Sequence, residues 1–273
     1  MPRRMRREVI TSPQNPKILL AAALRVNGRS RRGNGLFVVE GRREITHCLE
    51  AGFIPKALFV CPEIILEGDL EPLAVLSRRL NPSCVIYEIS PALYEKIAYR
   101  GGTEGVVAEI EYKERRLEDI VMGENPLVVV LEGVEKPGNL GAVLRSADAA
   151  GADAVIACDP LTDLYNPNLI RASIGAVFSR QMAVASSEET LAWLRSKGLR
   201  ILTAQLQDSD LYYHTSMTGP TAIVLGTEST GLTDFWRGAA DARIRIPMLG
   251  SLDSLNLSVS AAILLFEAVR QRQ

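Results

Sequence analysis

Three segments of the chain combine glycine with polar side chains at places where a ligand could bind. They read EGVEKPGNLGAVLR (residues 132–145), GTESTGLTD (226–234) and IPMLGSLDSLNLS (246–258). Each begins at the end of a run of residues typical of a strand. Ligands of open α/β sheets collect beyond the carboxyl ends of the strands, so we expect the chemistry of this protein in these segments.

In the first segment, Pro137 and Gly138 turn the chain and Asn139 is placed to cap the helix that follows. Gly141 allows close packing of that helix, and Arg145 lies about one and a half turns into it. An amide and a guanidinium at a sheet edge suit a polar substrate. Taken alone, however, this segment favours a capping role for Asn139 and a solvated Arg145.

The second segment places a carboxylate, Glu228, between two glycines, Gly226 and Gly231, which would let the backbone approach a flat ligand. An ordinary strand-to-helix turn has the same composition. In the third segment, Ser254 and Asn256 stand at the head of the last helix. Polar side chains there act as caps or as ligand contacts, and capping is the better interpretation of this segment alone.

Strands and helices predicted in the second half of the chain position these segments. The predicted strands are LVVVL (127–131), AVIAC (154–158), RILTA (200–204), AIVLG (222–226) and the more mixed ARIRI (242–246). Helices are predicted at about 140–150, 168–178, 188–197 and 255–271. Near-continuous apolar strands are typical of a parallel sheet covered on both faces, so we predict a parallel α/β domain.

The first half alternates shorter strands with helical segments. Strands are predicted at LFVVE (36–40), ALFV (57–60), CVIYEI (84–89) and GVVAEI (105–110), and helices around 44–49, 70–80 and 91–98. This predicts a smaller three-layer α/β domain. Because residues 111–126 are charged and end in Glu-Asn-Pro, we predict a first domain at 1–112, a linker at 113–126 and a second domain at 127–273.

The net charge of −1 is unevenly distributed. Residues 1–44 hold eleven Lys and Arg against three Glu, a local balance of +8. Clustered cations favour a polyanionic partner because they release counterions from phosphates, although a solvated, partly disordered start has the same composition. If the partner is RNA, the cluster nominates Arg29, Arg31, Arg32 and Arg42 as its contacts.

Several classes of protein are disfavoured. No apolar run approaches the roughly 20 residues that span a bilayer, and the start lacks a signal-peptide core, so we expect a soluble, cytoplasmic protein. The four cysteines form no Cys-x-x-Cys pair, which disfavours a zinc site or a disulfide framework. The glycine motifs of dinucleotide and P-loop folds and the elbow of serine hydrolases are also missing.

The last helix is apolar nearly all round between Leu255 and Phe266. Its own sheet covers only one face, and a second subunit commonly covers the rest, so we predict a homodimer. The alternative is a helix buried within the monomer.

In their order and spacing, the three segments resemble the signature motifs of the SpoU (TrmH-like) family of RNA ribose methyltransferases, in the SPOUT superfamily. The matching positions are Asn139, Gly141 and Arg145, then Gly226, Glu228 and Gly231, then Ile246, Pro247, Met248, Ser254, Leu255 and Asn256. The residues ITSPQNPKI (10–18) and FVVEGRREI (37–45) are similar to a substrate-binding domain related to ribosomal protein L30e. The resemblance covers nearly the whole chain.

This resemblance implies a catalytic domain threaded into a trefoil knot, and S-adenosylmethionine as methyl donor without a metal. The donor would lie bent against main chain at Gly226, Ile246 and Leu255. The reaction centre would hold Asn139, Arg145, Glu228, Ser254 and Asn256, with Arg145 binding the adjacent phosphate and stabilising negative charge. Within the second segment, Thr227 and Ser229 depart from the common motif.

The resemblance thus predicts methylation of a ribose 2′-hydroxyl, in ribosomal RNA because of the L30e-like front domain. Within the family, a transfer-RNA methyltransferase and an enzyme that confers antibiotic resistance through ribosomal RNA are alternatives. A catalytically silent RNA-binding protein on this fold is a further alternative, which the intact motifs disfavour. A nucleotide-binding oxidoreductase would require nicotinamide affinity.

Overall fold

A computed structural model describes residues 5–99, 104–178, 182–251 and 254–273. The chain divides into two compact units. The first unit comprises Met1–Glu114 and Leu164–Phe178, and the second comprises Arg115–Asp163 and Ser179–Gln273. No helix within the described ranges is long and apolar enough to cross a membrane.

The first unit is built on a mixed five-stranded sheet in the order β1-β4-β3-β5-β2. Its strands are β1 (Arg6–Ile10), β2 (Leu36–Glu40), β3 (Pro55–Val60), β4 (Val85–Ile89) and β5 (Val106–Glu111). Strand β4 runs parallel to β1 and β3, whereas β5 runs antiparallel to β2 and β3. The sequence pattern predicts all of these strands except β1, because three of its five residues are charged.

The helices from the N-terminal part of this unit are α1 (Pro16–Val26), α2 (Gly28–Asn34), α3 (Arg42–Glu50), α4 (Glu67–Leu80) and α5 (Pro91–Ile97). Helix α1 begins where the Asn15 side chain accepts the Lys17 N–H at 2.9 Å, and Ser90 caps α5 in the same manner. Apolar residues of α1 and α5 share one core with alternate residues of β3 and β4, including Phe59 and Tyr87. One face of the sheet is thereby covered.

The second unit contains a seven-stranded sheet in the order β10-β12-β9-β11-β6-β7-β8. Its strands are β6 (Leu127–Glu132), β7 (Ala154–Cys158), β8 (Met182–Ala185), β9 (Arg200–Ala204), β10 (Asp210–Leu211), β11 (Thr221–Leu225) and β12 (Ala242–Arg245). Every pairing is parallel, and the predicted α/β class with a parallel sheet is confirmed. The sequence pattern does not predict the short strands β8 and β10. The trefoil knot stays a prediction.

The remaining helices are α6 (Pro137–Ala149), α7 (Pro167–Ala172), α8 (Ser187–Ser196), α9 (Asp234–Ala239) and α10 (Leu257–Arg272). Helix α6 begins three residues earlier than the sequence indicates, because Pro137 occupies its first turn and Lys136 is the N-cap residue. Asn139 therefore lies inside the helix, and its predicted capping role is wrong. An Asn side chain that is not needed as a cap is available for other contacts.

Helix α10 packs on α6 and is fixed at its far end by Arg272. The guanidinium of Arg272 donates hydrogen bonds to the carbonyls of Met217, Asn125, Pro126 and Gly219, at 2.7 to 3.2 Å. These carbonyls precede β6 and β11, at the amino ends of the two strands. The first turn of α10 is thus held at the opposite, carboxyl end of the same strands.

The neighbouring strands β6 and β11 mark the switch point of the sheet. The chain proceeds from β6 outward through β7 to β8, and strands β9, β11 and β12 lie on the other side of β6. In the pairing of β6 with β11, Leu131 is opposite Leu225. The loops that follow these two residues must therefore start side by side, in the position where parallel sheets bind ligands.

Segment Leu164–Phe178, which the sequence analysis assigns to the second domain, packs with the first unit. The ring of Tyr165 stacks on Phe37 with centroids 4.1 Å apart and meets Phe53 edge-on at 5.9 Å. Phe178 contacts the same two rings. The Tyr165 hydroxyl donates to the carbonyl of Lys113 at 2.6 Å. Burial of these four aromatic rings explains why the segment packs in the first unit, although the residues before and after it in sequence belong to the second.

We expect Tyr165→Ala to destabilise the first unit by about 3–5 kcal/mol, the usual cost of deleting a buried aromatic ring. Tyr165→Phe keeps the ring and loses only the hydroxyl, so it should cost about 1 kcal/mol. Urea unfolding followed by hydrogen exchange at β2 amides would measure both values. Equal effects of the two substitutions would contradict a packing role for the ring.

Candidate active site

The centre of the site is the carboxylate of Glu228, in the loop after β11. Its Oε1 accepts hydrogen bonds from Asn139 Nδ2 at 3.0 Å, Asn256 Nδ2 at 2.5 Å and the Leu257 N–H at 3.1 Å. Its Oε2 accepts from Lys136 Nζ at 2.8 Å. Lys136 and Asn139 lie at the start of α6, after β6, and Asn256 and Leu257 lie at the start of α10, after β12. One side chain therefore joins all three segments that the sequence analysis singled out.

The ammonium of Lys136 and the N–H of Leu257 lower the pKa of Glu228 below its ordinary value. The same ion pair raises the pKa of Lys136. Both groups are therefore charged at neutral pH, and Glu228 acts as a fixed negative charge rather than as a titrating group. Sequence analysis did not single out Lys136, although its place directly before the Pro-Gly turn puts a cation at the same sheet edge.

Asn256 serves as helix cap and as site residue at once. Its Oδ1 accepts from the Ser258 N–H at 3.0 Å and the Ser258 hydroxyl at 2.6 Å, which caps α10. Its Nδ2 donates to Asn139 Oδ1 at 3.1 Å as well as to Glu228. Capping and site roles are consequently compatible for this residue, because the two ends of the amide point in different directions.

A cavity of about 410 Å³ opens beside Glu228. Its wall includes Gly226, Ile246 and Leu255, the three positions nominated for the methyl donor, together with Ser254. Leu225, Leu232, Ile244 and Leu264 form an apolar part of the wall. The volume fits a cofactor-sized ligand. The wall combines apolar and polar residues, which suits a ligand with an apolar ring system and a charged tail.

The loop after β11 requires glycine at its start. A Cβ on Gly226 would lie 2.2 Å from the carbonyl carbon and oxygen of Gly231, which no side chain tolerates. Gly231 itself has φ of 68°. The Thr227 hydroxyl accepts the Thr230 N–H at 3.1 Å, so the residue that departs from the family motif tightens the turn.

Glu132, the last residue of β6, fixes the other end of this loop. Its carboxylate accepts from the Thr233 N–H at 2.8 Å and from the Thr233 hydroxyl at 2.6 Å. Glu132 is buried, and sequence analysis missed it as a supporting residue. A carboxylate at the end of an otherwise apolar strand is the signal that would have found it.

Arg145 is the nominated reaction-centre residue that the structure does not join to the others. Its side chain is exposed and makes no hydrogen bond or ion pair within the described part of the chain. Six residues of helix separate it from Asn139, which corresponds to about 9 Å along the axis and about 120° around it. Arg145 therefore faces away from Glu228 of its own chain.

The four arginines predicted to contact RNA differ in solvent exposure and in the groups with which they are already paired. Arg29 and Arg32 are exposed on α2. Arg31 is only 2% exposed, and its guanidinium donates to the carbonyls of Leu24 at 2.6 Å and Arg25 at 3.2 Å. Its nomination is wrong, because it satisfies the end of α1 instead. Arg42 is paired with carboxylates of Asp69 and Glu104, which offset its charge.

Two family models match the chain. The model of the SpoU rRNA methylase family matches residues 126–266, which include all three segments. The model of an MRM3-like substrate binding domain matches residues 15–108.

Relatives and solved structures of similar sequence cover more than half of the chain, and some cover nearly all of it. A 23S rRNA (guanosine-2′-O-)-methyltransferase of Photobacterium profundum is 40% identical over 62% of this chain and 72% of its own. A 23S rRNA (uridine(2479)-2′-O)-methyltransferase of Streptomyces viridochromogenes is 33% identical over 96% of this chain and 92% of its own. The crystal structure of an AdoMet-bound rRNA methyltransferase from Sinorhizobium meliloti, 30% identical, covers 97% of this chain and 98% of its own with a TM-score of 0.88.

We expect Gly226→Ala to reduce affinity for S-adenosylmethionine by more than about tenfold, since the loop must move to make room for the methyl group. The matched control is Gly219→Ala at the other end of β11, where an added Cβ meets nothing within 4 Å. Isothermal titration calorimetry with both variants measures the effect. Unchanged affinity in Gly226→Ala would show that this loop does not form the donor site.

Proposed function

The chain belongs to the SpoU rRNA methylase family, and from this we propose that it methylates a ribose 2′-hydroxyl of ribosomal RNA. It is an S-adenosylmethionine-dependent RNA 2′-O-ribose methyltransferase, as the sequence motifs predict. The observation that carries the proposal is the cluster around Glu228, where three segments of different loops meet beside a cofactor-sized cavity. A silent RNA-binding protein would not need this arrangement.

Ribosomal RNA is favoured over transfer RNA as the substrate. The relatives from Photobacterium profundum and Streptomyces viridochromogenes are both named for 23S rRNA. The substrate-binding domain model also matches the first unit. The relatives named for 23S rRNA are bacterial, and bacterial ribosomes lie in the cytoplasm, where we place the protein.

The second unit binds and orients the donor. S-adenosylmethionine, when bound, supplies an electrophilic methyl group on a sulfonium. Main-chain groups at Gly226, Ile246 and Leu255 hold it against the cavity wall, where glycine and the neighbouring Pro247 expose the backbone. Glu228 is paired with Lys136 and holds the surrounding loops together. Its lowered pKa makes Glu228 a poor general base, so its role is positioning.

Asn139, Ser254 and Asn256 would orient the acceptor ribose. Displacement at the methyl carbon requires the 2′-oxygen, carbon and sulfur to be nearly collinear, so rigid positioning supplies much of the rate. The hydrogen bonds of Asn139 and Asn256 to Glu228 restrict both amides to one orientation. Ser254 lies on the cavity wall next to this cluster.

Arg145 would bind the phosphate next to the acceptor ribose and stabilise the negative charge that develops on the 2′-oxygen. A guanidinium stays protonated in proteins, so it is not the base. Its exposed position on α6 suits contact with RNA. In the first unit, Arg29 and Arg32 are exposed cations that would contact the RNA backbone.

We also propose a homodimer that uses the outer face of α10. Val259 and Phe266 are 45% and 48% exposed on this helix, seven residues apart and therefore on one face. Ala262 and Ile263 lie between them and are half-buried. A continuous apolar stripe on a helix is typical of a surface that another subunit covers.

We expect the purified protein to transfer label from S-adenosylmethionine to a ribose of unmodified ribosomal RNA. Arg145→Ala should lower kcat by at least about a hundredfold, because it removes charge stabilisation of the transition state. The donor affinity should not change, since Arg145 does not line the cavity. Ribose-methylation mapping and calorimetry measure the two quantities.

Transfer RNA serves as the parallel substrate in this experiment. Methylation of transfer RNA alone would contradict the ribosomal assignment. Donor binding without transfer to free RNA or to ribosomal particles would instead support a silent binder.

We expect Val259→Glu to convert the homodimer into monomers, because a carboxylate in an apolar interface loses its hydration. Val75→Glu is the matched control, since Val75 is 47% exposed on α4 of the first unit. Sedimentation equilibrium measures the mass of each. A monomeric parent protein, or a dimer that survives Val259→Glu, would contradict the proposal.

A further inference from the structure

The cavity in the second unit has more positive than negative charge on its wall. Among its described lining residues, Glu228 is the one carboxylate, whereas Arg237 and Arg245 are both guanidiniums. Lys136 already offsets the charge of Glu228. A ligand that fits this cavity should therefore bring a negative group to one of the arginines.

Arg237 is held rigidly at its backbone. It follows Trp236 on α9, and the fully buried Trp236 donates its ring N–H to the Ser187 hydroxyl at 3.1 Å. The Arg237 N–H donates to the carbonyl of Thr233 at 3.1 Å. Its own carbonyl accepts from Arg243 Nη2 at 3.3 Å. The base of the side chain is thus fixed relative to the loop after β11.

The guanidinium of Arg237 lies beside the glycine loop. Its Nη2 is 3.8 Å from the position that a Cβ on Gly231 would occupy. Gly231 and Arg237 both line the cavity. A ligand held against the main chain of this loop would consequently have the guanidinium within reach.

The hydrogen-bonding capacity of Arg237 is largely unused. Its Nε is buried and has no hydrogen-bond partner within the described residues. Its ion pair with Asp234 is long, 3.8 Å, and Asp234 is fully exposed, so the pair contributes little. A guanidinium offers five N–H donors in a planar fork that matches a carboxylate. The Arg237 side chain is 36% exposed and lines the cavity, so its fork can meet a ligand there.

Arg245 is less suited to this task. It lies on β12, where its Nη1 is directed to the Ser209 hydroxyl at 3.5 Å. Within the described part of the chain, no buried nitrogen of Arg245 is left without a partner. Arg237 is therefore the stronger candidate of the two.

We propose that Arg237 binds the α-carboxylate of S-adenosylmethionine and so selects adenosyl ligands that carry an amino-acid tail. This inference rests on the proposed function, because the donor supplies the carboxylate. Arg237 is a residue of donor binding and takes no part in methyl transfer. Its loss should raise the KM for the donor and leave kcat at saturating donor unchanged.

The test compares two ligands that differ only in the tail. S-adenosylhomocysteine contains the amino acid, whereas 5′-methylthioadenosine keeps the adenosine and the thioether without it. We expect Arg237→Gln to weaken binding of S-adenosylhomocysteine about tenfold, the usual size for a partly exposed charge-assisted pair, and to leave binding of 5′-methylthioadenosine unchanged. Calorimetry on the full-length protein measures both affinities.

Two further variants complete the design. Arg200→Gln removes the same charge from an exposed residue of β9 outside the cavity and should affect neither ligand. Arg237→Lys keeps the charge without the planar fork and should give an intermediate loss for S-adenosylhomocysteine alone.

Retained binding of 5′-methylthioadenosine shows that the variant cavity is folded. Equal losses for both ligands, or no loss for either, would overturn the assignment of Arg237 while leaving the proposed function intact. If the parent protein bound neither ligand nor S-adenosylmethionine, the donor assignment would fail, and this inference with it.

Discussion

The ion pair and hydrogen bonds of Glu228 are the interactions on which the arrangement of the site depends. Asn139, Asn256 and Leu257 direct three N–H groups at one oxygen, and without a negative charge these donors would have no common acceptor. Two of the three belong to residues that begin α10. The carboxylate therefore fixes the start of that helix against the start of α6, and it brings residues together that are up to 117 positions apart in sequence.

The parallel sheet makes this meeting possible. Strands β6 and β11 are neighbours, so their carboxyl ends place the first two loops side by side, and Arg272 anchors α10 to the opposite ends of the same strands. The loop after β11 has little freedom: Gly226 is pressed against Gly231, and Glu132 holds Thr233. A cavity wall made of main chain needs such constraints, because backbone groups select a ligand only when they are fixed in advance.

The sequence predicted the apolar strands and the three loops, because the hydrophobic pattern and the motifs are local signals. Contacts between distant residues were not predictable in this way. Arg31 is indistinguishable from Arg29 and Arg32 by composition, yet it alone is buried against the end of α1. The stacking of Tyr165 on Phe37 depends on tertiary packing across the chain, and no local pattern indicates it. The rotation of Arg145 away from Asn139 follows from the start of α6, which lies three residues earlier than predicted and so places both residues within the helix.

The pKa shifts of the central pair define how the site responds to pH. The pKa of Glu228 is lowered from 4.5, so its stabilising contribution is present above that value and is lost only as the pH falls through the lower pKa of the folded state. The pKa of Lys136 is raised from 10.5, so its contribution persists until the pH rises through the higher value. Between these limits the pair is intact and its protonation does not change. Any change of methylation rate with pH near neutrality must therefore come from a group outside this pair, since neither Glu228 nor Lys136 gains or loses a proton there.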